Sequence, residues 1–199
     1  MANIIEQITS KAGLDPRLGG KTKPLNWYQT QVRNLGGAGK VNTNTLLKQG
    51  KLVSRIIPGY MYLYRYDPKD KDVPYYDMFP LVIPFRRADN GFFGINFHYL
   101  PYMMRLNILK EFNRFANSKE LTEKTRIRLS YRVMESTRMF RFIQPAIRRY
   151  LNQQIRSRFL LIPYPDWVVA SQLPVQRFKG AQLETVLRDT KKKSLKRWV

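Results

Sequence analysis

Residues 81–99, LVIPFRRADNGFFGINFHY, are the most informative part of the chain about its fold, because they place two β-type runs on either side of a turn signal. Leu81 to Phe85 and Phe92 to Tyr99 are rich in the branched and aromatic residues that strands prefer. Between them, Asp89-Asn90-Gly91 has the residue order that favours a tight hairpin turn. We therefore predict an antiparallel β-hairpin at the centre of the chain.

Further patterns extend this hairpin in both directions. Upstream, YMYLYRY at residues 60–66 predicts another strand, and the Asp- and Pro-rich connector 67–77 predicts a loop. Downstream, Pro101 suits the first turn of a helix, and apolar residues recur at helical spacing beyond it. The spacing predicts three helices, from Pro101 to about Ala116, from Thr122 to about Ile143 and from Pro145 to about Arg158.

The predicted fold class is α+β, with a small antiparallel β-sheet followed by about three helices. The same strands would also suit part of a small barrel. Residues 159–173 are apolar enough to return to the core as a strand and a short turn, and a short helix is expected at 181–188. The predicted parts are an extended basic N-terminal arm (1–55), an α+β core (56–178) and an extended basic C-terminal tail (179–199).

The chain is strongly basic, since 36 Lys and Arg against 14 Asp and Glu give a net charge of +22. Residues 60–100 are neutral, whereas 1–59, 101–176 and 177–199 carry +7, +9 and +6. A charge of this size calls for a polyanionic partner, which for soluble proteins is commonly nucleic acid. Eleven of the fourteen basic residues in 101–176 are Arg, whose planar guanidinium suits bidentate phosphate contact.

We therefore predict a surface that binds double-stranded DNA through its phosphates. This binding would lack base specificity, since no helix-turn-helix, zinc-finger or RNA-binding aromatic motif is recognisable. Its predicted contacts are basic residues of the later helices and the tail: Arg126, Arg128, Arg132, Arg138, Arg141, Arg148, Arg149, Lys191, Lys192, Lys193, Lys196 and Arg197. The alternative is a structural subunit whose basic arms dock on acidic protein neighbours. Trp27, Tyr28 and Trp198 are compatible with both hypotheses, because they could stack on exposed bases or anchor the arms to protein neighbours.

Composition and motifs argue against catalysis, and we expect no enzyme activity, cofactor or small-molecule substrate. The chain has no cysteine and one histidine, which excludes disulfides, thiolate zinc sites and a cysteine nucleophile. The glycine-lysine stretches at 19–22 and 36–40 lack the glycine spacing of a phosphate-binding loop. No window of 18 apolar residues and no apolar leader is present, so we expect synthesis in the cytoplasm and no membrane insertion.

Two further candidates for chemistry have simpler structural interpretations. Asp67, Asp70, Asp72 and Asp77 could in principle hold Mg²⁺ for phosphodiester cleavage. They alternate with lysines and prolines, as residues of a solvated turn do, and we expect no metal site. His98 has no Ser–Asp pattern near it to complete a catalytic triad, so we expect a structural histidine.

Three central blocks resemble a family of virion proteins. The blocks are Tyr64–Lys69 (YRYDPK), Pro74–Leu81 (PYYDMFPL) and Gly91–Leu100 (GFFGINFHYL). They are similar to the DNA end protector, or head-completion, proteins of T-even-like contractile-tailed phages. The resemblance covers residues 60–102, with a further part at 156–178, and leaves out the arms.

This resemblance implies a minor virion protein, made in the host cytoplasm, that joins the filled head. It would bind the end of the packaged duplex and shield that end from host exonuclease. The resemblance supplies no catalytic motif. Because the chain is short for that family, a neighbouring neck, tail or baseplate subunit, with other phage virion proteins as partners, stays open.

Overall fold

The hairpin predicted from residues 81–99 lies inside a six-stranded antiparallel sheet. The computed structural model describes residues 50–68, 73–116 and 143–195, together with residues 30, 46, 47, 122, 125 and 132. Its strands are β1 (Leu52–Val53), β2 (Met61–Leu63), β3 (Tyr76–Asp77), β4 (Leu81–Ala88), β5 (Gly91–Asn96), β6 (Ile147–Leu151), β7 (Phe159–Ile162) and β8 (Phe178–Lys179). The strand order is β1-β7-β2-β4-β5-β6, and β3 pairs separately with β8.

Strands β4 and β5 form the predicted hairpin, with Ala88 opposite Gly91. Asn90 in the turn has a left-handed backbone with a φ of 58°, which Asn tolerates better than most residues. A Cβ at Gly91 would lie 1.9 Å from the carbonyl oxygen of Tyr150 on β6. The turn therefore favours Asn at position 90 and leaves no room for a Cβ at position 91. The hairpin prediction is confirmed.

The two faces of the sheet carry different cores. Met61 and Leu63 of β2 belong to the main core, whereas Tyr62 between them faces the other side, as strand alternation dictates. That other side holds an aromatic cluster made of Tyr62, Tyr64, Tyr66, Val82, Phe92, Tyr150 and Phe159. The ring centroids of Tyr66, just after β2, and Tyr150 of β6 are 5.0 Å apart, although β4 and β5 lie between these strands. The sheet is therefore strongly curled around its aromatic cluster.

A β-bulge at Pro84–Arg86 reverses the alternation of side chains along β4. Before the bulge, odd-numbered residues such as Ile83 face the main core. Phe85 is the extra residue of the bulge, so the pattern is shifted by one position after it. As a result, Arg87 lies opposite Phe92 of the aromatic cluster and faces away from the main core.

Three α-helices are described: α1 (Tyr102–Ala116), α2 (Trp167–Gln172) and α3 (Leu183–Leu195). Helix α1 follows Pro101 directly and packs against α2. Strand β7 and the 3₁₀ turn Tyr164–Asp166 agree with the strand and short turn expected from residues 159–173, but the chain then continues as α2, which was not predicted. Helix α3 includes most of the helix expected at 181–188, continues to Leu195 and buries Val186 in the main core.

The second predicted helix, at 122–143, lies mostly outside the described residues. Its expected cap is present, because Thr122 Oγ1 accepts a hydrogen bond of 3.3 Å from the backbone N–H of Thr125. A bond from the cap oxygen to an N–H three residues later is the usual start of a helix. Thr125 and Arg132 have helical conformations.

The third helix, predicted from Pro145 to Arg158, is wrong. Pro145 lies in the 3₁₀ turn Gln144–Ala146, and the chain then forms β6, which pairs with β5. The pairing buries Tyr150 in the aromatic cluster, and this non-local contact overrides a local helical spacing. Arg148 and Arg149 therefore project from a strand.

The α+β fold class is confirmed, with a six-stranded antiparallel sheet and three helices in the described part of the chain. The boundaries at 55/56 and 178/179 stay predictions. Strand β1 and the buried Leu46 lie before the first boundary, and α3 lies after the second. Of the helices in the described ranges, none has the length and apolar character needed to cross a membrane.

Candidate nucleic-acid interface

A groove lined by three arginines opens beside the aromatic cluster, at the end of the sheet where the β4–β5 hairpin turns. Its volume is about 680 Å³. Arg55, Arg87 and Arg158 line it, and all three side chains are exposed. Four polar residues complete the rim: Ser54, Asn90, Asn152 and Ser157. We call this feature the arginine groove.

Pairing at the edge of the sheet brings two of these arginines together. Val53 of β1 lies opposite Phe159 of β7 in an antiparallel ladder. The chain after Val53 and the chain before Phe159 therefore leave the sheet at the same end. Arg55 and Arg158 lie in these two segments and both line the groove.

The β-bulge in β4 supplies the third arginine, Arg87. Its cross-strand partner Phe92 is 2% exposed and lines the groove beside it. The Tyr64 ring lies between the two sides, with its centroid 6.2 Å from that of Phe92 and 5.1 Å from that of Phe159. The packed aromatic cluster therefore fixes the spacing between Arg87 on one side and Arg158 on the other.

Within the described part of the chain, no acidic side chain neutralises the positive charge of the arginine groove. None of the described Asp or Glu residues lines it, and none of its three arginines forms a salt bridge with another described residue. Guanidinium groups without carboxylate partners are free to donate hydrogen bonds to phosphate oxygens. The groove has the chemistry of an anion-binding site.

A second basic row lies on the opposite face of the same hairpin end. Arg86, Phe93 and Arg149 are opposite one another across β4, β5 and β6. The guanidinium carbon of Arg86 lies 4.5 Å from the Phe93 ring centroid. Arg149 donates a hydrogen bond of 3.2 Å to the carbonyl of Asp89 in the turn. Both arginines are exposed, so the hairpin end is basic on both faces.

The predicted DNA-contacting residues fall in several places. Arg148 is half-buried, with its guanidinium carbon 4.1 Å from the Tyr99 ring centroid. Its Nε is buried and has no hydrogen-bond partner among the described residues. Arg149 and Arg132 are exposed.

Lys191, Lys192 and Lys193 are exposed on α3, which packs on the main core. The structure does not bring them together with the arginine groove, which opens on the aromatic-cluster face. The remaining predicted contacts lie outside the described residues: Arg126, Arg128, Arg138, Arg141, Lys196 and Arg197. Trp27, Tyr28, Trp198 and both glycine-lysine stretches lie outside them as well.

Sequence reasoning missed all three arginines of the groove. Arg55 and Arg158 come together through the pairing of β1 with β7, which no local pattern reveals. Arg87 had a usable signal, because a proline inside a strand pattern indicates a bulge or an edge, and Pro84 stands three residues before it. A bulge at that point moves Arg86 and Arg87 each to the face of the sheet opposite to the one that regular alternation predicts.

The described carboxylates of the acidic loop do not converge on a common site. Asp67 is exposed and accepts a 2.9 Å hydrogen bond from the Tyr76 hydroxyl. Asp77 is buried and accepts hydrogen bonds from the Phe79 backbone N–H and the Asn96 side chain. Asp70 and Asp72 lie outside the described residues. The described residues contain no group of three His, Cys, Asp or Glu side chains that could hold a metal.

His98 belongs to a buried polar network. Burial lowers its pKa, although the neighbouring Asp77 acts in the opposite direction. The imidazole is therefore neutral near pH 7, and its Nδ1–H donates a 2.7 Å hydrogen bond to Asp77 Oδ2. Its Nε2 is buried without a hydrogen-bond partner among the described residues. A histidine that is fully buried and hydrogen-bonded to a buried carboxylate is typical of a structural role.

Arg105 is the largest fully buried side chain of the described part. It lies on α1 and donates hydrogen bonds to the carbonyls of Leu100 (2.8 Å), Ser171 (2.8 Å) and His98 (3.3 Å). Burial lowers its pKa to about 10, so it stays charged at neutral pH. The apolar periodicity of α1 gave no sign of this residue, which ties α1 to α2.

A comparison with protein-family models gave one further finding. The model described as phage T4 terminal DNA protecting protein matches residues 21–188. The matched range includes every residue of the arginine groove and most of the chain. Comparisons with curated proteins and with solved structures each returned no match.

Proposed function

Since the chain belongs to the family of phage T4 terminal DNA protecting proteins, we propose that it binds a duplex DNA end through phosphate contacts made by the arginine groove. The observation that carries the proposal is the set of three exposed arginines in a groove that no carboxylate of the described ranges lines. Phosphate contacts position a protein on DNA and carry no direct base information. Binding is therefore tolerant of sequence.

The protection is proposed to work by occupancy, without catalysis by this chain. An exonuclease must reach the last nucleotides of a strand, and a protein bound there blocks its access. Each neutralised phosphate releases condensed counterions, which makes binding strong at low salt and weak at high salt. The net charge of +22 also attracts DNA from a longer range, and salt weakens this attraction as well.

We further propose that the bound end is that of packaged DNA, at head completion, and that other virion proteins hold the chain in the particle. The exposed row of Arg86 and Arg149 and the lysines of α3 remain available for such neighbours while the arginine groove is occupied. A purely structural neck, tail or baseplate subunit is the alternative.

The test compares two double variants that each remove two exposed positive charges. Arg87→Gln/Arg158→Gln changes the arginine groove, and Arg177→Gln/Arg188→Gln is the matched control outside the groove lining. With linear duplex DNA at about 0.1 M salt, we expect the groove variant to lose at least about tenfold in affinity. Its slope of log K against log salt should fall by about 1.8, at about 0.9 per lost phosphate contact.

The same variants are then tested for protection of linear duplex against a processive exonuclease. The groove variant should leave the DNA open to digestion at protein concentrations where the control still protects it. Equal losses in both variants would mean that only general charge matters and would remove the groove from the proposal. Negligible DNA binding by the unchanged protein, with normal incorporation into particles, would put the structural-subunit hypothesis first.

A further inference from the structure

The size of the arginine groove limits what can enter it. Cavities of roughly 300–1,000 Å³ hold small molecules and short segments, and the arginine groove has about 680 Å³. The body of a B-form duplex, whose major groove alone is about 12 Å wide, does not fit into such a space. A single nucleotide or two at a strand end does fit.

The lining of the arginine groove favours the most negatively charged part of a nucleotide, which is a terminal phosphate. Arg55, Arg87 and Arg158 line the groove, and none of the described Asp or Glu side chains lines it. A phosphate monoester carries a charge of about −1.5 to −2 at pH 7 and has three acceptor oxygens, whereas a phosphodiester inside a strand carries only one negative charge. Three guanidinium-bearing side chains lining one groove therefore favour a terminal phosphate over an internal one.

The rest of the groove suits a sugar and a base. Ser54 and Asn152 offer polar side chains at the rim. Ile56, Ile155 and the edges of the aromatic cluster give an apolar floor. The backbone N–H of Asn152 donates a 2.8 Å hydrogen bond to the carbonyl of Asn90, which ties the end of β6 to the hairpin turn and holds this side of the groove in place.

From these features we infer that the arginine groove holds the terminal phosphate monoester and the last nucleotide of one DNA strand. The inference rests on the proposed function and makes it more specific. The protein recognises a DNA end because only an end presents a phosphate monoester and a nucleotide that can leave the duplex stack. Fraying of one base pair, at a cost of a few kcal/mol, gives that nucleotide access to the groove.

The experiment uses the full chain and four duplexes of one sequence: blunt with 5′-phosphates, blunt with 3′-phosphates, blunt with hydroxyl ends, and closed at both ends by hairpin loops. We expect one of the phosphorylated duplexes to bind at least about fivefold more tightly than the hydroxyl-ended duplex. The closed duplex should bind more weakly still. Arg87→Gln/Arg158→Gln should abolish these differences, and Arg177→Gln/Arg188→Gln should retain them.

A competition measurement gives a second readout that does not depend on any variant. A phosphorylated dinucleotide should displace the labelled duplex end, and the same dinucleotide without its terminal phosphate should not. If the wild-type protein binds the closed and the phosphorylated duplexes equally, the inference is wrong. The proposed phosphate contacts would still stand in that case, provided that the groove variant weakens binding to both duplexes and its control does not.

Discussion

His98 is the single histidine of the chain, and it is fully buried against Asp77. Burial keeps its pKa below the ordinary value, so the folded state stays unprotonated at a pH where the unfolded chain, with a histidine pKa of about 6.5, takes up a proton. Below about pH 6.5 the unfolded state therefore binds more protons. The free energy of unfolding should fall with decreasing pH there, by up to about 1.4 kcal/mol per pH unit.

Urea unfolding between pH 7 and 5.5 checks this expectation. Most carboxyl groups titrate nearer pH 4, so this range reports mainly on the single histidine. His98→Gln keeps an amide donor for Asp77 and removes the titrating ring, so its stability should be lower but nearly independent of pH in this range. An equal slope in the wild type and the variant would show that His98 is not the cause.

Arg105 is the second residue whose burial predicts a measurable effect. Arg105→Met keeps much of the side-chain volume but leaves the carbonyls of Leu100, Ser171 and His98 without their donor. Buried polar groups that lose a charged partner cost several kcal/mol, and we expect a loss of about 3–5 kcal/mol in the free energy of unfolding. The exposed Arg188→Met should change it by less than about 0.5 kcal/mol. Equal urea midpoints for the two variants would contradict this role of Arg105.

The β4–β5 turn couples the stability of the sheet to the arginine groove. A Cβ at Gly91 would lie 1.9 Å from the Tyr150 carbonyl oxygen, so Gly91→Ala must separate β5 from β6. We expect a loss of about 2–4 kcal/mol, together with weaker DNA binding under conditions where the variant is still folded. Asn90→Gly keeps the left-handed turn and should nearly match the wild type in the free energy of unfolding. If folded Gly91→Ala binds DNA with wild-type affinity, the turn does not contribute to DNA binding by the arginine groove.

Elements with strong local signals could be predicted from the sequence. The hairpin turn at Asp89-Asn90-Gly91, helix α1 after Pro101 and the apolar strand β7 all have residue patterns that specify them without a partner. Strand β6 could not be predicted in the same way, because its helical spacing is overridden by pairing with β5. The arginine groove depends on the β1–β7 pairing and on the bulge in β4, so its residues come together only in the folded chain.

The whole molecule carries positive charge on both sides of its sheet. The arginine groove opens on the aromatic-cluster face, and Lys191, Lys192 and Lys193 extend from α3 on the main-core side. Deleting residues 191–199 would cut into α3, where Thr190 is 2% exposed. Substitution is therefore the cleaner way to test these lysines.

Lys191→Gln/Lys192→Gln/Lys193→Gln should leave the free energy of unfolding within about 0.5 kcal/mol of the wild type, because all three side chains are exposed. If the lysines contact DNA, the slope of log K against log salt should fall by up to about 2.7, at about 0.9 per contact. Because α3 packs on the main-core side of the sheet and the arginine groove opens on the aromatic-cluster side, we expect this loss to be the same for open-ended and closed duplexes. It should also add to the effect of Arg87→Gln/Arg158→Gln on log K, as independent sites do. An unchanged salt slope, together with failure of the variant to enter particles, would instead assign the α3 lysines to a protein neighbour and restrict DNA binding to the groove side.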